Sequence, residues 1–428
     1  MRRVVTRPHV VVVGGGFAGC AAAVAARRAG VRVTLLERTN LLLGSGLVGG
    51  IIKNNGRLTA WEELRFLGAE DFLQVIESCL LHCNIDFPGH RHASLYDVDH
   101  IEPEVRGHLK EIGIDILLES RVVDTVVAGR RVVSVVLEEG EIIDGDVFVD
   151  ATGSAGPMGN CLRYGAGCVM CVFRCPSFGA RVSISAKAGV KDISGDFSGL
   201  SGSCELAKET LGRWLVDRLE STGYLVIPVP KYMTHGDVLD IKACQQYALP
   251  EYANNLILLD TGKVKVMTPY FPLELMRQVP GFQAARYADP YAGGRGNSVR
   301  LSVITPHQAN LQVVGLDNLY AAGEKLGLLV GHTEGILTGY LAGHNAARTV
   351  LDMPPIVLPL ELACGDFIYE SNRVTQNENP GKVRFTFSGS IYFARMQQLG
   401  LYTTHIGDIE SRVSRTGLAG VFAKPLLH

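Results

Sequence analysis

The sequence predicts an α/β protein: a Rossmann-like nucleotide-binding domain with an inserted mixed α/β substrate domain. Three observations predict it. A four-valine run at residues 10–13 feeds a glycine-rich turn and an alanine-rich segment. A set of short strands then closes on Asp150-Ala151-Thr152-Gly153, and near residue 320 a second strand–glycine–helix arrangement appears.

The opening "MRRVVTRPHVVVVGGG" has a basic start and an apolar run. It leads straight into glycines without a small-residue cleavage site, so it reads as a buried first strand and not as a leader. Gly14, Gly16 and Gly19 supply G-x-G-x-x-G. The first permits a tight turn, the second lets backbone approach a pyrophosphate, and the third lets the next helix pack on the strand. Residues 21–29 suit that helix and Gly30 ends it. Residues 31–36 make the second strand, and Glu37 follows where an acid accepts hydrogen bonds from a ribose. Cys20, just beyond the glycines, reads as a small packing residue.

The chain has 428 residues, 49 of them glycine, enough for two or three structural units. A net charge of −2 gives no global attraction to nucleic acid or to an anionic membrane. No apolar run reaches the roughly 18–20 residues of a membrane span, so no membrane partner is expected. Ten cysteines without a secretion signal point to a reducing, cytoplasmic setting. There, clustered cysteines are read as catalytic or metal-binding.

From residue 115 to 150 three short strands are expected, turning at "AGRR" and "EEGE" and ending in the turn of Thr152 and Gly153. This meander resembles FAD-binding oxidoreductases of the two-dinucleotide-binding-domain kind. Those proteins return to FAD late in the chain, and "NLYAAGEKLGLLVGHTEGILTGYLAGHNAAR" does the same. The resemblance implies FAD contacts at Thr152, Gly153, Gly323, Glu324, Gly331 and Thr333. A helix N-terminus near Thr333 suits the electron-rich pyrimidine edge of reduced flavin. His332 either delivers a proton there or caps the helix. Lys53 either holds a flavin carbonyl or substrate anion, or is a solvated surface lysine. No second G-x-G-x-x-G follows a later strand, and residues 41–50, "LLLGSGLVGG", lack a C-x₄-C redox pair. NAD(P)H, if it is the reductant, therefore acts without its own Rossmann domain.

"VVVVGGGFAGCAAA", "SGLVGGIIKNNGRL", "VDATG", "NLYAAGEKLG" and "PPIVLPLELACGDFIYES" together resemble the GidA-related flavoproteins. That group includes tRNA wobble-uridine modification proteins (GidA) and folate-dependent tRNA uracil-5-methyltransferases (TrmFO). The resemblance covers both ends of the chain, about half of it, and implies an RNA uridine as substrate, with an unassigned small molecule as the other reading. One departure stands out. TrmFO-type enzymes carry a cysteine in the loop after the second strand, where this chain has Gly49 and Gly50.

"CLRYGAGCVMCVFRCP" places Cys161, Cys168, Cys171 and Cys175 just after the "ATG" turn. Three readings stay open. Cys168, Cys171 and Cys175 act as redox or nucleophilic thiols beside the flavin, with Arg163, Arg174 and Arg181 able to lower their pKa values. All four cysteines hold zinc or an iron–sulfur cluster. Or "CVMCVF" is a core strand using cysteine as a small hydrophobe. Cys79, His82 and Cys83 are expected on a helix and in the core, with a metal site as the alternative. Cys204, Cys244 and Cys364 read as structural. Lys263, Lys265, Tyr270, Phe271, Tyr291, Arg295 and Arg300 mix charge and aromatics as an RNA-binding or anion-binding surface does. The expected division is a discontinuous FAD domain (1–155 plus 300–350), an inserted substrate domain (156–299), and a C-terminal cap or homodimer segment (351–428).

Overall fold

The computed structural model describes residues 8–153, 182–202, 204–234, 236, 239, 248–268, 271–288, 297–327, 329, 331–377 and 385–427. Strand β1 (His9–Val13), helix α1 (Phe17–Arg28) and strand β2 (Arg32–Leu36) form the expected crossover unit. Residues 10–13 are buried along their length, which suits a strand flanked on both sides in a parallel sheet. An excursion follows through β3 (Ile51–Lys53), α2 (Gly56–Leu64), α3 (Glu70–Ser78), β4 (Leu80–Phe87), β5 (His90–Tyr96) and α4 (Ile101–Glu111). The chain rejoins the first sheet with β6 (Asp115–Leu117).

The meander is finer than the sequence suggests. Its antiparallel part is β7 (Val122–Ala128), β8 (Arg131–Leu137) and β9 (Ile142–Asp144), while β6 and β10 (Val147–Asp150) belong to the parallel sheet. Glu119 at φ 56° turns the chain between β6 and β7. The break between β9 and β10 lets Asp146 accept the His9 N–H at 2.8 Å.

The intervening segment contributes α5 (Ile184–Lys187), β11 (Ile193–Gly202), β12 (Cys204–Leu206), α6 (Arg213–Thr222), β13 (Tyr224–Pro228), α7 (Pro250–Asn254), β14 (Asn255–Thr261), β15 (Lys263–Val266), α8 (Leu273–Met276) and β16 (Asn297–Ile304). Strands β12, β15, β14 and β13 lie in that order in an antiparallel sheet. The alternation of β14 divides its side chains between two cores. Leu256 and Leu258 join Leu215, Leu219 and Phe282 on one face, and Ile257 and Leu259 join Ile51, Phe87 and Leu95 on the other. That second core bonds the inserted sheet to the β3–β5–β4 sheet.

Strand β17 (Leu319–Ala321) completes a five-stranded parallel sheet in the order β17-β10-β1-β2-β6. Helix α9 (His332–Val350) lies directly on α1. Its glycines are explained by this crossing: a Cβ on Gly339 would stand 2.8 Å from Ala21 Cβ, and one on Gly343 2.7 Å from the Ala22 carbonyl carbon. The C-terminal elements α10 (Ala363–Asn377), β18 (Phe385–Thr386), α11 (Ser390–Gln398) and α12 (Ile406–Arg415) pack back onto this unit. Buried Glu63 of α2 accepts the Ala363 and Cys364 N–H groups at the start of α10 and pairs with Arg412 of α12. Among the described residues, no helix is long and apolar enough to cross a membrane.

The expected helix through Cys79 and Cys83 is not formed. Helix α3 stops at Ser78, and β4 begins at Leu80 by pairing with Tyr96 of β5. Cys79 is buried and Cys83 exposed, while the His82 ring bonds Asp260 of β14 at 3.0 Å. Pairing with β5 overrode the local helical reading, and these three residues do not converge into a metal-holding group.

Candidate functional site

The three glycines of the first loop separate by role. Gly14 has φ 103°, and a Cβ there would lie 2.7 Å from the Ala151 carbonyl carbon at the end of β10. A Cβ on Gly19 would stand 2.9 Å from the carbonyl carbon of Gly14, so only glycine lets α1 start this close to β1. Gly16 differs: its nearest neighbour would be the Leu43 oxygen at 4.0 Å. It is also the N-cap of α1 and makes no side-chain cap bond. The loop thus presents uncapped N–H groups beside open space, the arrangement an anion needs. Glu37 stands alongside. Its Oε2 accepts the Gly15 N–H at 2.8 Å, and its Oε1 accepts the Thr39 N–H and hydroxyl at 2.9 and 3.0 Å.

The β10 and β17 turns close the same edge of the sheet. Thr152 donates its N–H and hydroxyl to Asp150 Oδ1 at 3.2 and 2.7 Å, and Gly153 follows at φ 73°. Gly323, at φ 68°, donates its N–H to Thr338 and brings the turn carrying Glu324 within a methyl's width of Ala18 on α1. Beneath these turns lies a polar hub that sequence reasoning missed. Lys325, fully buried, donates to Asp192 at 2.8 Å and Ser183 at 2.6 Å, and lies 4.0 Å from Asp150. Asp150 Oδ2 accepts the Ser185 N–H and hydroxyl. These partners are up to 175 positions apart in the chain, from Asp150 to Lys325, so no local pattern announces them.

Helix α9 starts at the same edge. Its cap is Gly331, at φ 138°, so His332 is the first helical residue and not the cap. The His332 ring packs 5.1 Å from the ring of Phe17 and 6.1 Å from that of Tyr96. Thr333 donates its hydroxyl to the Ile52 carbonyl at 2.6 Å. Lys53 is not the solvated lysine the sequence also allowed. Its ammonium reaches Glu77 of α3 at 2.7 Å and lies 5.4 Å above the Trp61 ring.

The loop between β2 and β3 explains its own glycines. A Cβ on Gly49 would stand 2.6 Å from Tyr96 Oη and 2.7 Å from His332 Cε1, and closer still to Nε2. Gly50, at φ 73°, would place a Cβ against Thr261. A cysteine at either position collides with the wall of the site, so the imidazole of His332 occupies the ground that a loop thiol would need. Tyr96 Oη donates to the Gly46 carbonyl and Lys265 Nζ to the Val48 carbonyl, both at 2.5 Å. Burial raises the Tyr96 phenol well above its usual range. Glu205, cross-strand partner of Lys265, is buried, and its Oε1 has no hydrogen-bond partner among the described residues. Desolvation pushes its carboxyl upward, with Lys265 opposing.

Lys265 is thus a buried wall residue and Phe271 a core residue beside Leu215 and Phe282, a correction to the expected basic–aromatic surface. Lys263 bonds Asp99 at 2.6 Å. Tyr270, Tyr291 and Arg295, and the side chain of Arg300, lie outside the described residues. So do Cys161, Cys168, Cys171 and Cys175, with the three arginines near them, and Cys244. Among the described residues no group of histidine, cysteine and carboxylate side chains is arranged to hold a metal. Cys20 and Cys364 are buried thiols whose pKa values desolvation raises, as packing residues' are.

A parallel sheet with an uncapped glycine loop at one crossover, and a second helix N-terminus at the same edge, defines a dinucleotide-binding fold of the flavoprotein type. The family described as FAD dependent oxidoreductase matches residues 9–158, and the family described as Glucose inhibited division protein A matches residues 263–354. Residues 9–158 are thus similar to FAD-dependent oxidoreductases, and residues 263–354 to the Glucose inhibited division protein A family.

GidA of Aquifex aeolicus in its form II crystal aligns with a TM-score of 0.66 at 16% identity, over 97% of this chain and 73% of that one. The form I crystal gives 0.60 at 16% identity, over 96% and 78%. These two show a shared fold. Methylenetetrahydrofolate--tRNA-(uracil-5-)-methyltransferase TrmFO of Thermus thermophilus is 35% identical over 97 residues, which is 22% of this chain and 20% of that protein. Chloroplastic zeaxanthin epoxidase of Oryza sativa subsp. japonica is 30% identical over 168 residues, 34% of this chain and 25% of that protein. The matches thus span a quarter or less of the length of these curated relatives.

Proposed function

We propose that the chain works as an FAD-dependent oxidoreductase, with its substrate held between the 46–50 loop, His332 and the inserted sheet. The observation that carries this is the open, uncapped N–H cradle at Gly16, set at one sheet edge with the start of α9. Gly14, Gly16 and Gly19 shape the pyrophosphate seat, and Glu37 faces the ribose beside it. Thr152, Gly153, Gly323, Glu324, Gly331 and Thr333 form the seat for the flavin half, where the N-terminus of α9 favours negative charge. FAD bound there supplies reversible two-electron transfer. His332 holds or moves a proton at Nε2, and Tyr96 and Phe17 fix its ring.

Cys168, Cys171 and Cys175 enter the same reading as thiols that assist the flavin, in a reducing cytoplasm and with NAD(P)H as one candidate reductant. The domain division is proposed as 1–155 plus 300–350 for FAD, 156–299 for substrate and 351–428 as a C-terminal cap or dimer element. A second reading, modification of a uridine in RNA, is favoured by the TrmFO and Glucose inhibited division protein A matches. The exclusion of a side chain at Gly49 and Gly50 argues against the loop-thiol arrangement for that chemistry.

The test is an ultraviolet–visible spectrum of anaerobically purified protein with iron, zinc and acid-labile sulfide assayed on the same sample. Flavin bands at one FAD per chain are expected. A protein that neither carries nor takes up FAD overturns the reading. Stoichiometric iron and sulfide would turn it toward an electron-transfer flavoprotein with an iron–sulfur cluster at Cys161, Cys168, Cys171 and Cys175.

A further inference from the structure

Directly behind the start of α9 lies an ion pair that the proposed chemistry does not use. Arg57 of α2 sets its Nε 3.0 Å from both carboxylate oxygens of Glu334, in the first turn of α9. The side chains are 7% and 0% exposed, so solvent does not screen them. Four further hydrogen bonds hold this pair. Arg57 also donates to Asn54 Oδ1 at 3.2 Å and Thr386 Oγ1 at 3.1 Å. Glu334 Oε1 accepts the Thr386 hydroxyl at 2.8 Å and the Phe387 N–H at 2.9 Å. Both charged groups border the cap residue itself. A Cβ on Gly331 would lie 2.7 Å from Glu334 Cδ, and closer to Glu334 Oε2 and Arg57 Nη2.

We propose that the Arg57 guanidinium and the Glu334 carboxylate, clamped together by the C-terminal segment through Thr386 and Phe387, each act on the reduction potential of the flavin seated at the N-terminus of α9 and hold it in balance by compensating one another. The inference rests on the FAD reading above. Reduction at neutral pH adds two electrons and one proton to the flavin, so its charge falls by one at the pyrimidine edge. Arg57 favours that added charge and Glu334 opposes it. Held together they nearly cancel, leaving the helix N-terminus as the main local field. Both are positioning residues: they act through the field at the helix start and not by contact with a substrate.

The experiment is an anaerobic dithionite titration of the FAD-loaded protein beside a redox dye of known potential. The variants are Glu334→Gln, Arg57→Met, the double variant Arg57→Met/Glu334→Leu, and Thr386→Val. Glu334→Gln leaves an uncompensated guanidinium and should shift the dye equilibrium about tenfold toward reduced flavin. Arg57→Met should shift it the other way, and the double variant should return to within about twofold of the parent. Thr386→Val, which keeps side-chain charge, takes a donor from the Glu334 carboxylate and an acceptor from Arg57, and should move the potential measurably from the parental value. Single variants that hold FAD at the parent potential, or that both shift in one direction, overturn the proposal. If neither single variant retains flavin, Thr386→Val decides, and a parental potential there overturns it. Failure of the unaltered chain to take up FAD is a different result, because it removes the reading of the site itself.

Discussion

Two glycines one turn apart on α9 should respond to alanine with opposite signs. At Gly339 the new methyl would stand 2.8 Å from Ala21 Cβ and closer to the Ala18 carbonyl oxygen. Carbon atoms in good contact are about 3.5–4.0 Å apart, so the helices must separate by roughly 1 Å. Overpacking of this kind costs about 1–3 kcal/mol, and the helix-propensity gain of alanine over glycine returns only about 1 kcal/mol. At Gly335 the nearest atoms, Ala18 Cβ and N, lie 3.8 Å away, an ordinary contact. There the propensity gain stands alone, and Gly335→Ala should stabilise by about 0.5–1 kcal/mol. Urea unfolding of the apoprotein, read as the shift in midpoint at unchanged slope, measures both. FAD uptake should also weaken in Gly339→Ala, because the crossing sets the distance between the Gly16 cradle and the start of α9. If Gly339→Ala unfolds at the parental midpoint, or Gly335→Ala falls as far as Gly339→Ala, the close-packing account of these glycines is refuted.

His344 lies in the core beside Phe422, and neither ring nitrogen has a hydrogen-bond partner among the described residues. Burial, with a smaller push from Arg348, holds its pKa down at about 4. As pH falls through 6.5 the unfolded chain binds a proton that the folded chain refuses until about 4, so stability is lost across that window. The loss should approach about 3 kcal/mol, and His344→Leu should remove that part of the slope in urea melts run between pH 7 and pH 4. Lys325→Met leaves the buried carboxylate of Asp150 and the partly buried one of Asp192 without their cation. It should destabilise by about 3–5 kcal/mol in the same assay; a loss below 1 kcal/mol would show that the hub is dispensable.

The sequence by itself determined the flavoprotein crossover. The valine run, three spaced glycines, alanine helix and terminal Glu37 are local features, each fixed by backbone sterics or by burial on both faces of a strand, and they are found in place. The same holds for the strand and helix after residue 319, whose glycines report how closely another helix must approach, though not which one. Tertiary structure decided the rest. Residues 79–83 read as helix locally but pair as strand, because the ladder with β5 and the bond from His82 to Asp260 outweigh helix propensity. Lys265 and Phe271 read as surface but are buried, Lys265 on β15 against the 46–50 loop and Phe271 in the core with Leu215 and Phe282, because these neighbours meet only in the folded chain. The contacts at the site and behind it, Gly49 against His332 and Tyr96, Lys325 against Asp150 and Asp192, and Arg57 against Glu334, join residues 47 to 283 positions apart. Short-range patterning carries no signal for such pairs. Their partners are chosen by which segments the sheet order brings to one edge, and that order exists only in the folded chain.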